Sequence, residues 1–171
     1  MLEDGFEKVI GLDPSRILLR STKTRLRDHF YPIQGVAENL PFRKESIAGI
    51  ITCYSLRDVR DKAKSISEFA RVLIEKGRLE IVDVGKPDNE FLRRLVGLYV
   101  VFVMPVVARF FIGRRAQANP FRMIIPTFQR LPSNRSLTRL AAHEFGSSQL
   151  DEFLLGGLVI VEATRADGSH C

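Results

Sequence analysis

The run KVIGLDPS, Lys8–Ser15, constrains this chain more than any other stretch. A short apolar segment meets a carboxylate, Asp13, and then a proline able to occupy the first turn of a helix. In nucleotide-binding α/β folds an acidic residue at the end of the second strand holds a ribose hydroxyl. The glycine-rich turn that feeds this strand lies about 20 residues upstream. Only twelve residues precede Asp13, and no G-x-G-x-x-G or close variant occurs in the 171 residues. The acidic half of a nucleotide site is present in the pattern; the glycine half is not.

Downstream, strand-like and helix-like segments alternate. Lys8–Leu12 reads as a buried strand, followed by a helical segment opening at Pro14. YPIQGVA (Tyr31–Ala37) is a second short strand, less clear because of Pro32. Ser46–Ser55, SIAGIITCYS, is nearly continuous in apolar residues, as a strand covered on both faces would be. From Asp61 to Lys76 the apolar positions Ile66, Phe69, Ala70 and Leu73 follow a helical period, with Gly77 as the stop. GRLEIVDVG (Gly77–Gly85) is the clearest strand. Near the end, NRSLTRLAAHEFG reads as a helix capped by Asn134 or Ser136 and stopped by Gly146, and Gly157–Arg165 as a last strand. The final ADGSHC is expected to fray. This alternation predicts an α/β domain, a parallel sheet with helices on both faces.

Residues 89–118 interrupt the rhythm. Leu95–Ala108 runs for fourteen residues without a charge, bracketed by Arg93, Arg94 and Arg109. A membrane-spanning helix needs about 20 apolar residues, so this run is too short and predicts a helical lid packed on the domain. The flanking arginines also suit anionic head groups, giving a peripheral membrane contact through Leu95–Ile112. The opening MLEDGFEKVI does not have the form of a signal peptide. Two cysteines, Cys53 and Cys171, do not make a disulfide framework, and a reduced, cytoplasmic setting is the simple reading. The three histidines are scattered and no Cys/His cluster offers a metal site. A net charge of +6 permits an anionic partner. Arg16, Arg20, Lys23, Arg25 and Arg27 could follow phosphates, but no aromatic residues interleave with them to stack bases, so no nucleic acid is expected.

VAENLPF (Val36–Phe42), LRDV (Leu56–Val59), RVLIEKGRL (Arg71–Leu79) and VDVGKP (Val82–Pro87), in this order and spacing, resemble the ubiquinone/menaquinone biosynthesis C-methyltransferases. The lid run from Phe91 to Gly113 is similar to that family's segment after its fifth strand. The resemblance implies a Rossmann-like class I methyltransferase fold that uses S-adenosyl-L-methionine, with the first strand and first helix largely missing from this chain. It covers nearly the whole chain as one domain, 1–171. It implies that Asp13 meets the cofactor ribose, that Val36 and Ala37 flank the adenine, and that Cys53 lines the cofactor pocket. It also implies that Arg57 and Asp58 stand near the acceptor, a small lipophilic quinone precursor.

Each position also has a plainer reading. Asp13 could cap the following helix, Cys53 could be a small buried core residue, and Arg57 could be occupied by a salt bridge to Asp58 or Asp61. Relatives carry asparagine at the position of Asp58, Pro-Gly-Gly where this chain has Glu75–Gly77, and aromatic residues, often tyrosines, where Phe121 and Met123 stand, so that no phenol remains there to bond a substrate. Two accounts of the missing glycine turn stay open: a piece of a longer methyltransferase, or a degenerate non-catalytic relative that forms a homodimer to cover its exposed edges.

Overall fold

The computed structural model describes residues 8–26, 30–103, 106 and 124–166. In chain order the elements are β1 (Val9–Asp13), α1 (Arg16–Leu26), β2 (Phe30–Gln34), β3 (Ile47–Cys53), α2 (Lys62–Val72) and β4 (Leu73–Val84). Then come α3 (Glu90–Leu98), running into a π-helical segment Tyr99–Val103, α4 (Ile124–Arg130), α5 (Asn134–Phe145), β5 (Ser148–Phe153) and β6 (Leu158–Thr164). Single 3₁₀ turns occupy Leu56–Asp58 and Leu154–Gly156.

The strands form two sheets. β1 and β2 pair in parallel, from Val9 opposite Phe30 to Asp13 opposite Gln34. The other sheet has the order β3-β4-β6-β5. β3 and β4 are parallel, as the alternation predicts, but β6 pairs antiparallel with both β4 and β5. The cause is the short Leu154–Gly157 connection, since only antiparallel neighbours can be joined so tightly. β5 is absent from the sequence reading because SQLDEF has no apolar run to announce it.

The core lies beneath the four-stranded sheet. Leu79 and Ile81 of β4 and Val161 and Ala163 of β6 point to one side, where Ile66, Phe69 and Val72 of α2 and Leu137, Ala141 and Phe145 of α5 close over them. α2 buries the face that its 3.6-residue spacing specifies. Its N-terminus is capped by Asp61, whose side chain accepts from the Lys64 N–H. Among the described strands, β1 and β3 each pair along one edge only.

Three local expectations are corrected. The helix expected to reach Lys76 ends at Val72, and Leu73 opens β4 instead. Lys76 takes the left-handed backbone (φ 61°), and Gly77 is required for close approach: a Cβ there would stand 2.8 Å from the Ile74 carbonyl. α5 is capped by Ser133, which accepts from the Ser136 N–H, rather than by Asn134 or Ser136. Asn134 is buried and serves as a latch: its Oδ1 accepts from the Lys86 N–H, and its Nδ2 donates to Glu152 Oε1 and the Gly156 carbonyl. β3 is not covered on both faces, because Ala48, Gly49, Ile51 and Cys53 are exposed. Gly146 does terminate α5 with φ 83°. The expected fraying of ADGSHC falls almost wholly outside the described residues, as does the lid beyond Val103 apart from Val106.

Candidate active site

The predicted site residues sit at the carboxyl ends of β1, β2 and β3, the rim where open α/β sheets receive ligands. Asp13 ends β1. Its Oδ1 accepts from the Ser15 N–H at 2.6 Å, which fixes the carboxylate and leaves Oδ2 without a local donor among the described contacts. Ser15 Oγ reaches the Leu18 N–H at 3.4 Å, so the serine rather than Asp13 caps α1. The Gly35 N–H donates to the Asp13 carbonyl at 3.3 Å, holding the start of the next turn against the end of β1.

That turn is Val36–Asn39, closed by a bridge between its end residues. Val36 is 45% exposed at its base. Leu40, just beyond, is buried and its N–H donates to Glu68 Oε2 at 2.8 Å. Arg71 binds the Leu40 and Phe42 carbonyls from α2 while pairing with Glu68 at 2.7 Å. These contacts are the structural content of the VAENLPF motif: with Leu40 clamped to α2, Ala37 packs half-buried against the core and Val36 stays exposed at the rim.

At the end of β3, Cys53 is a free, exposed thiol, which rules out the buried-core reading. Tyr54 follows with φ 52°, a strained backbone for a bulky residue, and its N–H donates to the Val82 carbonyl at 2.8 Å. The chain then winds into the 3₁₀ turn Leu56–Asp58. Leu56 is buried beneath it; the Asp58 side chain is exposed, whereas that of Arg57 is only 19% exposed. Arg57 Nε lies 3.7 Å from Asp58 Oδ2, an ion pair too long for a hydrogen bond. That Nε is itself buried and has no hydrogen-bond partner. The guanidinium carbon sits 6.0 Å from the centroid of the Tyr54 ring. The salt-bridge reading of Arg57 thus holds for Asp58 but leaves a donor unsatisfied.

The structure adds two charged groups that the sequence reading missed. Asp83 of β4 is 1% exposed, and its Oδ2 accepts from the Arg57 N–H at 3.0 Å. Burial pushes its carboxyl above the ordinary aspartate value, against the backbone donors Arg57 and Val84 and the Arg57 charge. Lys62, at the start of α2, donates to the Val59 carbonyl at 2.6 Å. Burial depresses its ammonium, opposed by Asp58 and Asp83. The signal for Asp83 was present: it follows Leu79 and Ile81 at a spacing of two, a carboxylate in register with core positions.

Asp13 and Val36 are therefore tied together through Gly35, Arg57 is held through its N–H by Asp83, and the Asp58 N–H donates to the Ser55 carbonyl. Cys53 stands on the same rim without a described contact to Asp13. The fold is that of the Rossmann-like class I methyltransferases. Of the solved structures it resembles, a putative methyltransferase bound to the Trm112 activator from Haloferax volcanii aligns over 99% of this chain and 77% of its own (TM-score 0.69, 11% identity). A SAM-dependent methyltransferase from Thermotoga maritima aligns over 91% and 72% (TM-score 0.61, 19% identity).

The sequence places the chain within that class. Residues 2–162 match the ubiE/COQ5 methyltransferase family, to which the chain belongs. Curated relatives include the ubiquinone/menaquinone biosynthesis C-methyltransferase UbiE of Wigglesworthia glossinidia brevipalpis, 25% identical over 90% of this chain and 62% of the relative. The 2-phytyl-1,4-naphtoquinone methyltransferase of Thermosynechococcus vestitus is 28% identical over 92% and 69%. The chain spans about three-fifths of the length of the UbiE relatives it matches.

Proposed function

We propose that this chain carries the acceptor half and the adenosine half of an S-adenosyl-L-methionine-dependent C-methyltransferase acting on a prenylated quinone precursor. The observation that carries the reading is the buried Arg57 Nε without a hydrogen-bond partner, at the strand rim of a member of this family. The residues present fit the nucleoside portion of the cofactor. Asp13 Oδ2 is an anionic acceptor for a ribose hydroxyl, Val36 and Ala37 offer an apolar edge to adenine, and Cys53 lines the rim between them and the acceptor turn. When bound, the cofactor supplies an electrophilic methyl group.

The chain's own part is to prepare a nucleophilic ring carbon. A quinol carbon becomes nucleophilic as its neighbouring phenol loses a proton, and a guanidinium stabilises the resulting oxyanion. Arg57 is always charged, so it acts as that stabiliser and not as the base. Asp58, exposed beside it, is the carboxylate placed to take the phenolic proton. Orientation supplies much of the remaining acceleration. The apolar stripe of α3 and its π-helical continuation, with Phe91, Leu95, Leu98, Tyr99 and Phe102 exposed, suits a prenyl chain and a peripheral contact with lipid. No described helix is long and apolar enough to cross a membrane.

The test is titration of S-adenosylhomocysteine into this chain by calorimetry. Binding that weakens about tenfold in Asp13→Asn, as loss of a charged hydrogen bond predicts, supports the reading. No binding, or binding indifferent to Asp13, overturns it. Arg57→Lys should lower kcat on a demethylquinol with the cofactor's KM little changed, because the substitution touches the acceptor side alone.

A further inference from the structure

The cofactor turn and the acceptor turn are joined by the hydrogen bonds of one side chain. Glu38 sits at the tip of the Val36–Asn39 turn, yet its carboxylate reaches across the rim. Oε1 accepts from the Arg60 N–H at 2.9 Å and from the Asp61 N–H at 3.4 Å. These amides directly precede α2, where a helix start leaves N–H groups without intrahelical partners and favours negative charge. Asp61 is also the α2 cap, so the residue that starts the helix is held from the cofactor side. Burial works to raise the Glu38 carboxyl, but the backbone donors outweigh it and hold the group below its ordinary value.

The other attachments of the acceptor turn lead elsewhere. Asp83 holds the Arg57 N–H from the core strand β4, and Lys62 binds the Val59 carbonyl from α2 itself. Glu68 and Arg71 fix the far limb of the cofactor turn at Leu40 and Phe42, not its tip. Among the described hydrogen bonds and ion pairs, Glu38 alone links the residues assigned to adenine with the segment 56–61 that presents Arg57 and Asp58.

We propose that Glu38 is a positioning residue that couples cofactor occupancy to the placement of Arg57, by carrying a shift of the Val36–Asn39 turn into the Arg60–Asp61 backbone. The inference rests on the site assigned above. Its energetic content is reciprocal: a ligand that favours one arrangement of the cofactor turn favours the matching arrangement of the acceptor turn by the same factor. Glu38 touches neither substrate and acts only through these two amides.

The experiment follows the backbone amide signals of Arg57, Arg60 and Asp61 by nitrogen-15 NMR while S-adenosylhomocysteine is added to the wild-type chain, Glu38→Ala and Glu38→Gln. In the wild type all three signals should move with occupancy. In Glu38→Ala the movement at Arg57 should fall about fivefold, the low end of ordinary coupling, while the ligand still binds. Glu38→Gln keeps an acceptor oxygen and should restore most of the movement, a rescue that mere loss of stability would not give. Equal movement at Arg57 in wild type and Glu38→Ala, with binding intact, overturns the coupling alone. Absence of binding by the wild-type chain overturns the site assignment and the coupling with it.

Discussion

The two sheets carry different halves of the proposed site and are held by very different amounts of buried surface. The four-stranded sheet presents the acceptor turn and contributes Leu73, Leu79, Ile81, Val159 and Val161 at 1% exposure or less. The β1–β2 pair presents Asp13 and leads into Val36, yet its buried apolar residue is Phe30, with Leu12 packed on the edge of the main core. Each fully buried aliphatic side chain is worth about 1.5–3 kcal/mol, and a lone two-stranded sheet is marginal in water. The difference teaches that the acceptor side is built on a rigid platform and the nucleoside side on a lightly anchored one. A ligand bridging them would stabilise the weaker sheet more than the stronger.

The sharpest way to break that comparison is a pair of truncations. Ile81→Ala, in the middle of β4, should cost about 2–5 kcal/mol and lower the midpoint of global unfolding. Phe30→Ala should speed amide exchange across β1 and β2 while leaving the protection of β4 and β6 nearly unchanged. Equal global losses for both variants would show one cooperative unit in place of two.

Asn134→Ala comes next in size. It strips acceptors and donors from the Lys86 N–H and the Gly156 carbonyl where β4, α5 and the β5–β6 turn meet, and should cost about 1–3 kcal/mol in urea unfolding. Gly85 belongs to the same junction: a Cβ there would collide with the Gly156 carbonyl. This junction is why the acceptor side is stiff.

The pH response separates the groups by sign. Asp83 holds its proton more tightly folded than unfolded, so the folded chain binds more protons between the two values. Stability from this group is full below the unfolded pKa and lost as pH rises through the raised folded one. Glu38 and Glu68 run the other way. Their folded values are depressed, so their contribution is present above the unfolded pKa and lost as pH falls through the folded one. Unfolding midpoints collected from about pH 3 to 8, spanning the carboxyl range, should show Asp83→Asn losing the alkaline-side decline while Glu68→Gln loses the acid-side one.

The smallest effects concern caps. Asp61→Ala should cost about 1 kcal/mol, because α2 packs on the core and transmits the loss. Ser15→Ala should cost less, since its bond to the Leu18 N–H is long and α1 leans on the weaker sheet.

Most of the strands were legible because their apolar runs are, and Lys62–Val72 was legible as a helix, within the expected Asp61–Lys76, because its buried positions repeat at the helical period. Where α2 stops was not, because a β-strand and a buried helix end share the residues Leu73 and Ile74. β5 was hidden by exposure: SQLDEF gives its apolar side to few neighbours, so no alternation marks it. At the site, Asp13, Val36, Arg57 and Asp58 could be named from motif order. Glu38 and Lys62 could not, because their partners are backbone groups 22 and 3 residues away, and sequence does not display where a main-chain N–H or carbonyl points; Asp83 was marked by its register with Leu79 and Ile81, but its partner, the Arg57 N–H 26 residues away, was not.

Cys53 has a practical consequence. An exposed thiol at the carboxyl end of β3 is a built-in reporter for the proposed site. With Cys171 replaced by serine, the rate of alkylation at this one sulfur would register each ligand's arrival without a label, and a fluorophore attached there would look directly onto the turn that bears Arg57.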